Sequence, residues 1–593
     1  KFVFVDPRLN ESSYAHGAEW VPIKPGTDAA FILALIHVII KEKLYDEAFL
    51  LNFSNAPILI KPDSYPLKNK EGEYLVWDEA AGNVAPLNRA RQLALLGSYE
   101  VELDTYRGVC QTAFQLLAGR AEAYPSEVAA GITTIPKEKI TEIARDLGTM
   151  KPHLCICSQY NVTAQYSNSL QYNRARNILM CLLGIYDKPG GKYYGPSGSD
   201  GISLNKEEDF RIPVEVHPMT KDRVDYDPTV HPIVQTKLKD YPIGVIQNVL
   251  KAIQTGKPYA IKVLFIIGSD VIASQSWEWR EAFQKVEFIV KSHVWPDDDV
   301  DYADIVLPEA AYLERDDGFI KVTVPDPEHK DTEFSFLTVI PPVVEPQFEE
   351  RAWTDYVKEL AQRMGFGEYY DFTLDEYWNF LLEPAGIDID YLRKHGVYYP
   401  TPLVTRKPEF GKKQQWTSGT GRQNIYTPEM VDLWYKKKQA PLYDPLPAYH
   451  PITVEPKADN EFYLLSGKCS YFKCNFYKDN AMLLEKYLEG ELGNTKLWIN
   501  ANRAATLGIK DGDWAWIESG ATGQKDKVRI KVTEGIHPSA AWHIYGGGHK
   551  SKLMDTFSRG REGINVNDFI PQHQVPFTAG AAHCEAVVKV YKA

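Results

Sequence analysis

Polar side chains that could bind a nucleotide follow two predicted strands near the start of the chain. The apolar strand Phe2–Val5 runs into the polar turn Asp6-Pro7-Arg8, and a second strand, Trp20–Ile23, leads to Pro25-Gly26-Thr27-Asp28. A side-chain oxygen from one of the last two residues of this second turn is expected to cap the helix that follows. Strand, polar turn and helix N-terminus together are the layout of a nucleotide-binding α/β sheet.

The same layout recurs in the middle of the chain. Val263–Ile267 is a continuous apolar strand that ends in Gly268-Ser269-Asp270, and Glu287–Val290 is a second strand that leads to Ser292-His293. Continuous apolar runs of this length are typical of strands buried on both faces of a parallel sheet. Because such sheets bind ligands at the carboxyl ends of their strands, we expect a second site of the same kind here.

The sequence changes in character after about residue 457. Short strands separated by tight turns are predicted at Phe462–Leu465, Trp514–Glu518 and Val528–Val532. We therefore predict an α/β fold of two nucleotide-binding-type parallel-sheet domains, followed by a β-barrel domain. The predicted boundaries are 1–190 and 191–400 for the two α/β domains, 401–457 for a linker, and 458–593 for the barrel.

Composition excludes several classes of protein. At 593 residues, with 44% hydrophobic and 24% charged residues, the chain is an ordered globular protein of several domains. Its formal net charge of −13 argues against broad binding to nucleic acid or to anionic membranes. The longest apolar stretch, Ala29–Ile40, is shorter than the roughly 20 residues of a membrane span. We expect no nucleic-acid partner and no direct insertion into a membrane.

The seven cysteines form no C-x-x-C pair, so the sequence shows neither a zinc ribbon nor an iron–sulfur cradle. Cys155 and Cys157 flank one residue in the apolar run His153–Cys157, which predicts a strand with buried thiols. Cys469 and Cys474 could form a metal pair, although packing or loop positions are the simpler interpretation.

Taken together and in this order, these turns resemble the molybdopterin oxidoreductases of the dimethyl sulfoxide reductase family. That family has VDPR followed about twenty residues later by PGTD, as found here at residues 5–8 and 25–28. Its Q…N…R-A…LLG…PGG segment resembles the stretch that begins at Gln165 and ends in LLGIYDKPGG. Its most specific pattern, a strand and a polar turn followed by A-D-x-x-L-P and an E-(K/R)-x-G-type turn, resembles residues 291–318. The likeness spans nearly the whole chain.

The resemblance implies that the first two turns hold one guanine dinucleotide arm of a molybdopterin cofactor. A carboxylate there pairs with the donor face of guanine, and helix-end amides approach phosphate. The positions of Asn161 and Gln165 fall, in the family, near the pterin and the active-site funnel, although an ordinary loop hydrogen bond is an equal alternative for Asn161. The residues implied for this arm are Asp6, Pro7, Arg8, Gly26, Thr27 and Asp28.

The second dinucleotide arm is implied to lie at the middle strands, with Arg315 as a cationic contact. The resemblance also implies a terminal barrel of the double-psi type, which closes over both pterins through the turn Ser466-Gly467-Lys468-Cys469. His549, beside the glycines at 546–548, is the catalytic candidate for the substrate funnel, and a loop position in the barrel is the alternative. The other residues implied as cofactor contacts are Gly268, Ser269, Ser292, His293, Asn475 and Asn567.

The resemblance implies a molybdenum or tungsten bis(molybdopterin guanine dinucleotide) centre. In the family, the metal ligand and the cysteines of a [4Fe–4S] cluster lie upstream of VDPR, so we expect both in a segment that precedes this chain. Such a centre transfers oxygen atoms or reducing equivalents in two-electron steps, while the cluster passes single electrons. We therefore assign no metal ligand to the present sequence.

Longer likenesses indicate the substrate. The strings KPGTDAAFILALIHVIIKEKLYDEAFL, NAPILIKPD and GINVNDFIP…VKVYKA look most like the catalytic subunits of polysulfide, thiosulfate and tetrathionate reductases. The resemblance thus implies reduction of a small inorganic sulfur compound in anaerobic respiration. It also implies two partners, of which one is an iron–sulfur electron-transfer subunit, while the other is a membrane anchor subunit. Catalytic subunits of this kind usually lie in the periplasm or on the outer face of the cytoplasmic membrane.

Three alternatives stay open at this point. An arsenate reductase shares much of the pattern, and a formate-dehydrogenase-like enzyme would be distinguished only by residues outside this sequence. A metal-free structural subunit of a quinone-linked complex is the alternative from a different class, and it predicts eroded cofactor turns. The turns at Asp28, Ser292, Arg315 and Ser466 are intact, which favours an enzyme.

Overall fold

The structure of the chain is a computed structural model. Its elements fall into three parts along the sequence. The structure describes residues 1–593 except 189, 193–200, 208–209, 211–245, 258, 329–332, 402–404, 407–417, 469–494, 552, 554–562 and 576–579.

The first part combines a small parallel sheet with a helical core. Its two opening strands, β1 and β2, pair in parallel, as the sequence predicts, and the remaining strands pair antiparallel in two small sheets. Its strands are β1 (Val3–Val5), β2 (Glu19–Val21), β3 (Leu59–Ile60), β4 (Leu75–Asp78), β5 (Asn83–Pro86), β6 (Ser98–Leu103) and β7 (Tyr106–Thr112). Its described helices are α1 (Glu11–Ala15), α2 (Asp28–Lys41), α3 (Glu47–Phe53), α4 (Ala113–Ala121), α5 (Ser126–Thr133), α6 (Lys137–Met150), α7 (Tyr160–Ala164) and α8 (Ser169–Leu182).

Helix α2 is the centre of this part, and it begins where the PGTD turn predicts. It is apolar on almost every side and packs against α5, α6 and α8, so burial rather than an amphipathic stripe holds it in place. The expected side-chain cap is absent, because the Thr27 hydroxyl donates backward to the Lys24 carbonyl at 2.6 Å instead of accepting from the helix. Among the described residues, no helix has both the length and the apolarity needed to cross a membrane.

The prediction of a strand with buried thiols at residues 153–157 is wrong. This segment follows α6 as an extended chain that pairs with no described strand, and both thiols are exposed, with their Sγ atoms 3.4 Å apart. Residues two apart in an extended chain point to the same side. Cys155 and Cys157 therefore share the outer side, while Leu154 between the two faces is buried.

The second part is built on a three-stranded parallel sheet, which confirms the second predicted α/β unit. The expected burial of Val263–Ile267 on both faces is wrong, because Val263 is 58% exposed and Phe265 on the same face is 36% exposed. The strands β8 (Val263–Ile267), β9 (Phe288–His293) and β10 (Ile305–Pro308) lie in the order β10-β9-β8, so the carboxyl ends of all three meet at one edge. One face of the sheet packs against the helices α9 (Ile246–Thr255), α10 (Val271–Ser274) and α11 (Glu278–Phe283).

An antiparallel sheet and further helices complete this part. The helices pack on the sheet through an apolar core that includes Leu337, Leu382 and Leu392. The strands are β11 (Phe319–Pro325), β12 (Glu333–Val339), β13 (Val397–Tyr398) and β14 (Thr405–Arg406), and the helices are α12 (Trp353–Arg363), α13 (Gly367–Tyr370), α14 (Leu374–Leu382) and α15 (Ile389–His395).

The predicted linker folds back on the first part. It carries helix α16 (Val431–Lys436), and the side chains of Ile425, Tyr426 and Leu446 join the same core as α2. The domain boundaries drawn from the sequence stay predictions, since packing of this kind does not by itself divide a chain into units.

The last part is a closed barrel, as predicted. Its strands run in the order β15-β19-β16-β18-β17-β20, with parallel pairs at β15–β19 and β16–β18 and antiparallel pairs elsewhere. This mixed pairing of six strands agrees with the predicted double-psi type. The elements are β15 (Glu461–Gly467), β16 (Leu497–Asn500), α17 (Ala501–Thr506), β17 (Trp514–Glu518), β18 (Lys525–Thr533), β19 (Ala540–Ile544) and β20 (Val587–Lys592).

Candidate functional site

The turn after β1 presents a carboxylate that its own backbone holds in place. An oxygen of Asp6 accepts the Arg8 amide at 2.7 Å, and the Trp20 indole donates to the Asp6 carbonyl at 2.8 Å. Burial raises the pKa of Asp6 above 3.8, because it outweighs the hydrogen bond and the positive charge of Arg8. Asp6 is thus a rigid acceptor with incomplete compensation for its charge.

A second carboxylate faces it from the start of α2. Burial, with the charge of Asp6 added, raises the pKa of Asp28 from 3.8 to about 7. The preceding Gly26 has φ of +76°, and a Cβ there would lie 2.8 Å from the side chain of Ile452, so only glycine fits the turn. Asn168 holds this turn from α8, because its amide donates to the Gly26 carbonyl at 2.9 Å.

Arg8 connects the same turn to the barrel. Its guanidinium lies over the ring of Trp542, 4.0 Å from the centroid, and 5.2 Å from that of Trp498. One terminal nitrogen pairs with Glu11 at 3.3 Å, whereas Nη1 is buried without a hydrogen-bond partner in the described part of the chain. A buried cationic donor without a partner is a natural contact for an anion.

The loop at the end of α7 and the end of β15 close this site. The Asn161 amide donates to the Ser466 carbonyl at 3.1 Å, and the Cys584 amide donates to the Gln165 carbonyl at 3.1 Å. The barrel thus contacts the predicted funnel loop twice. We call this set the first cradle: Asp6, Arg8, Gly26, Asp28, Asn161, Gln165, Ser466 and Gly467.

The predicted residues of the second arm meet at the carboxyl ends of β8 and β9. Gly268, at φ of +60°, donates its amide to the Ser292 carbonyl at 2.9 Å. The Ser292 hydroxyl donates to Glu309 at 3.2 Å, and the same carboxylate accepts from Arg315 at 2.6 Å. Arg315 therefore lies beside Ser292, as the resemblance implies, with Glu309 between them.

A buried lysine lies beneath these strand ends. The Lys291 ammonium is 2.6 Å from Asp297 and 3.0 Å from Asp299, and it also donates to the Ser269 carbonyl. Burial opposes its charge, but the two carboxylates outweigh burial and raise the pKa of Lys291. Asp270, Asp297 and Asp299 offer three oxygens within 4.8 Å of one another, and the lysine supplies the positive charge that a metal ion would otherwise bring to such a set.

His549 lies at the wall of this second group. Its ring is buried, with Nδ1 3.3 Å from Asp298 and 4.0 Å from Asp270. Burial and then the negative charges of the turn at 297–299 raise the pKa of Asp270 well above its usual value. The other oxygen of Asp298 accepts the amides of Lys550 and Ser551 at 2.7 Å each, so the loop after β19 is attached to the second sheet. A catalytic role for His549 stays a prediction.

Asn567 is a second contact between barrel and sheet. Its amide donates to the Ala273 carbonyl at 2.7 Å, and the adjacent Asp568 pairs with Arg280 and Lys550. Burial raises the pKa of Asp568 despite these two cations. We call the full set the second cradle: Gly268, Ser269, Asp270, Lys291, Ser292, His293, Asp297, Asp298, Asp299, Glu309, Arg315, His549 and Asn567.

Some predicted contacts lie elsewhere. The Pro7 carbonyl accepts the His537 amide at 2.8 Å, which attaches the first turn to the barrel, and the Lys468 side chain is exposed. Cys469 and Asn475 lie outside the described residues. None of these observations tests a cofactor contact, so the site assignments stay predictions.

Sequence reasoning missed the charged centre of the second cradle. Lys291 reads as one polar residue within an apolar strand, and its partners come from the acidic run 297–299, six or more residues later. The three adjacent aspartates of this run, in the turn that follows a predicted strand, were the available signal. Cys584, which contacts Gln165 of the first cradle, and Glu585, which contacts the nearby Ser167, carry no local signal.

The first cradle offers groups that match a nucleotide. The first offers a buried donor at Arg8 and a carboxyl at Asp28 with pKa about 7, so it matches a phosphate and a base that donates hydrogen bonds. Gly26 and Gly268 both have positive φ, a backbone conformation that glycine adopts without the cost of a Cβ. The donors and acceptors of the first cradle therefore suit the nucleotide of a cofactor.

Comparison with known proteins identifies the family. A family model described as molybdopterin oxidoreductase matches residues 1–363, and one described as molybdopterin dinucleotide binding domain matches residues 462–586. The first match covers the first part and the parallel sheet of the second, and the second match covers the barrel as far as its last strand.

Curated relatives match along nearly the whole chain. The molybdopterin-containing subunit of thiosulfate reductase from Salmonella typhimurium is 24% identical over 99% of this chain and 69% of its own length. One subunit of sulfite dehydrogenase from Allochromatium vinosum is 24% identical over 100% of this chain and 75% of its own length. The alpha subunit of perchlorate reductase from Dechloromonas aromatica is 23% identical over 97% of this chain and 69% of its own length.

A solved structure shows the same fold. Acetylene hydratase from Pelobacter acetylenicus superposes with a TM-score of 0.70 and 21% identity, over 100% of this chain and 74% of the other. At this identity the likeness concerns the fold alone. With the two family matches and the relatives, it leads to one conclusion: the chain is a catalytic subunit of the molybdopterin oxidoreductases, in the dimethyl sulfoxide reductase family.

Proposed function

We propose that this protein carries out the two-electron reduction of an inorganic sulfur compound, namely polysulfide, thiosulfate or tetrathionate. Support for a reduction comes from the relative named thiosulfate reductase, which aligns over 99% of the chain. That relative and the one named sulfite dehydrogenase, which aligns over 100% of the chain, both support a sulfur compound as substrate. Other relatives are named for perchlorate and dimethyl sulfoxide, so the substrate class rests on this likeness and on the sequence strings quoted above.

We propose that the two cradles bind the two nucleotide arms of one bis(molybdopterin guanine dinucleotide). A molybdenum or tungsten centre held by such a cofactor supplies two-electron redox chemistry. In the first cradle, Asp28 would accept from the guanine base and Arg8 would donate to phosphate. In the second, Ser292 and Arg315 would contact the other arm. The dinucleotide-binding domain at residues 462–586 supports a cofactor of this class.

The chain's own residues position the cofactor and exclude water from it. Asn161 and Ser466 join the funnel loop to the barrel, and Asp298 joins the loop after β19 to the second sheet. Both contacts bring the barrel over a cradle, so a bound cofactor would be enclosed. Enclosure strengthens each hydrogen bond to an anionic ligand, because the local dielectric constant falls.

We further propose the setting in which this protein works. A [4Fe–4S] cluster would pass single electrons. Two partner proteins, an iron–sulfur subunit with its membrane anchor, would deliver those electrons from the membrane. The location would be the periplasm or the outer face of the cytoplasmic membrane. These proposals rest on the family resemblance of the sequence.

One observation favours a cofactor-loaded enzyme over a metal-free structural subunit. Both cradles keep their acidic, glycine and cationic positions together in space, including Asp28, Gly26 and Arg8 in the first. Asp28 is costly without a ligand, because burial raises its pKa to about 7, and a base that donates to it would offset this cost. Arsenate reductase and formate-dehydrogenase-like activities remain the alternatives within the family.

The substrate proposal is tested with the purified, metal-loaded protein. A reduced viologen dye would serve as electron donor, and its oxidation would be followed with thiosulfate, tetrathionate and polysulfide, and separately with arsenate, perchlorate and dimethyl sulfoxide. Formate would be tested in the opposite direction, with the oxidised dye as acceptor. We expect turnover with a sulfur compound to exceed the others at least tenfold, and preference for any other substrate contradicts the proposal.

A further inference from the structure

A buried carboxylate without a cation lies just before the last barrel strand. Glu585 is only 1% exposed, and no described Lys, Arg or His forms an ion pair with it. Its Oε1 atom accepts the amide of Ser167. Its Oε2 atom accepts the amide of Thr453 at 3.0 Å and also the hydroxyl of Thr453.

These three hydrogen bonds offset the free-energy cost of burying the Glu585 carboxylate. A carboxylate taken out of water without an opposite charge is stable only when hydrogen bonds satisfy its oxygens. The donors come from two distant segments, the loop before α8 and the segment that leads into the barrel, while Glu585 itself belongs to the barrel. A single side chain thus joins three parts of the molecule.

The loop that Glu585 holds contacts the first cradle at both of its ends. On one side, the Cys584 amide donates to the Gln165 carbonyl at 3.1 Å. On the other, the Asn168 amide donates to the Gly26 carbonyl at 2.9 Å and to the His450 carbonyl at 2.8 Å. Displacing Ser167 would therefore move Gln165 and loosen the PGTD turn together.

We infer that Glu585 is a positioning residue for the first cradle. It acts through the loop 165–168, and it holds Gln165 and Gly26 in the geometry that binds one arm of the cofactor. The inference rests on the proposed binding of a nucleotide arm at this cradle. Neither the family matches nor the relatives assign a role to this residue.

Substitution by glutamine isolates the role of the second acceptor oxygen. In Glu585→Gln the side chain keeps its size, but an NH2 group replaces one of the two acceptor oxygens. That NH2 group must then face a hydrogen-bond donor of Ser167 or Thr453. Two donors facing each other leave a buried group unsatisfied, and the loop must shift to relieve the contact. Glu585→Asp keeps the charge and both acceptors, and only shortens the reach.

A matched control is present in the β4–β5 hairpin. Asp78 is likewise buried and accepts the backbone amides of Ala80, Arg91 and Gln92 at 3.0, 2.9 and 3.1 Å. The Asp78→Asn variant removes an acceptor from a comparable set of donors, in a hairpin that contributes no residue to either cradle. This variant shows how far the loss of a buried carboxylate outside the cradles changes stability and nucleotide retention.

The test compares nucleotide loss and amide exchange in the holoenzymes. For Glu585→Gln we expect guanine nucleotide to be lost at least tenfold faster than in the wild type, with faster deuterium exchange at Ser167 and a partial recovery in Glu585→Asp. For Asp78→Asn we expect a lower melting temperature with neither change. Wild-type nucleotide retention in Glu585→Gln, or equal losses in both variants, overturns the inference.

Two further results keep the test decisive. If Glu585→Gln does not fold, Thr453→Val removes one donor to the same carboxylate and is expected to accelerate nucleotide loss about threefold; no acceleration contradicts the inference. If the wild type carries no guanine nucleotide, the proposed cofactor assignment fails. Exchange at Ser167 in Glu585→Gln then still decides whether the residue positions the loop.

Discussion

The two cradles treat buried charge in different ways. In the first, Asp6 and Asp28 face each other with no ion pair to a described cation, and the pKa of Asp28 is about 7. In the second, Asp297 and Asp299 pair with the Lys291 ammonium, and Asp568 nearby pairs with Arg280. The first cradle thus holds its two carboxylates without an ion pair, whereas the second is built around ion pairs.

This difference indicates a division of labour between the arms. A carboxyl that is buried without a cation gains the most free energy when a hydrogen-bond donor binds to it. Ligand binding should therefore stabilise the first cradle strongly. A network of ion pairs is costly to break but gains little from a ligand, so the second cradle acts mainly as a rigid frame. Changes to the second should therefore reduce stability, and changes to the first should reduce cofactor retention.

The largest effect is expected from Lys291→Met. This change leaves Asp297 and Asp299 buried without their cation, which typically costs about 3–5 kcal/mol. The free energy of unfolding from denaturant titration measures it. Lys262→Met is the control, because its pair with Glu287 is 3.0 Å long but 64% exposed on both sides. Equal effects of the two changes would mean that the second cradle is no rigid frame.

Asp28→Asn should instead act on the cofactor. Loss of a charged acceptor for the base is expected to reduce bound guanine nucleotide roughly 10- to 100-fold in affinity, the usual range for a hydrogen bond to a charged group. The measurement is the amount of guanine nucleotide that is extracted per protein chain. Asp46→Asn is the control, since Asp46 caps α3 by accepting the Phe49 amide at 2.9 Å. Unchanged nucleotide content in Asp28→Asn contradicts the assignment of the first cradle.

The first cradle should also respond to pH. Without cofactor, the folded chain keeps a proton on Asp28 that the unfolded chain loses above pH 3.8, so stability falls as pH rises toward 7 and is constant above it. A base that donates to the carboxylate favours its ionised form, so the affinity for the nucleotide should fall about tenfold per unit below pH 7. Affinities at pH 5.5 and 8 measure this, and equal affinities contradict it.

His549→Ala tests whether the second cradle is more than a frame. If the histidine lines the funnel, turnover should fall several-fold while metal and nucleotide content stay near the wild-type values. Removing the ring also withdraws the contact at 3.3 Å from Asp298, so stability is measured in parallel. Unchanged turnover and loading would leave His549 a structural residue of the barrel loop.

The smallest effect is expected from Arg315→Ala. The guanidinium is partly exposed and pairs with Glu309 and Asp317, at 2.6 and 2.9 Å. Solvent and these two carboxylates therefore weaken its attraction for a cofactor arm. We expect a two- to fivefold lower retention of metal and nucleotide. Arg351→Ala, which removes a comparable pair with Glu359, should leave retention unchanged. A normal metal-to-protein ratio in Arg315→Ala counts against the predicted contact.

The sequence predicted those features of the fold that depend on local patterns. Trp514–Glu518 is a strand with the predicted bounds, and α6 begins at the predicted Lys137, because alternation and helical periodicity are local properties. The extended segment at Cys155 and Cys157 failed for a tertiary reason: an apolar run becomes a strand only when a neighbouring strand is available to pair with it.

The site was predictable where a turn needs a special residue, and not where distant segments meet. Gly26 and Gly268 are turn glycines with positive φ, which their motifs indicated. The stacking of Arg8 on Trp542 and the burial of Lys291 depend on residues brought together only by folding. Contacts between distant segments leave no pattern in the local sequence, so the ion pairs of the second cradle could be identified only in the structure.

The most direct test counts metal and nucleotide in the purified protein. The central claim is that each cradle holds one guanine nucleotide arm of a single metal centre. It predicts two guanine nucleotides and close to one molybdenum or tungsten per chain, by extraction and elemental analysis. One nucleotide per chain, or two nucleotides bound without any metal after expression in a molybdenum-replete host, would contradict it.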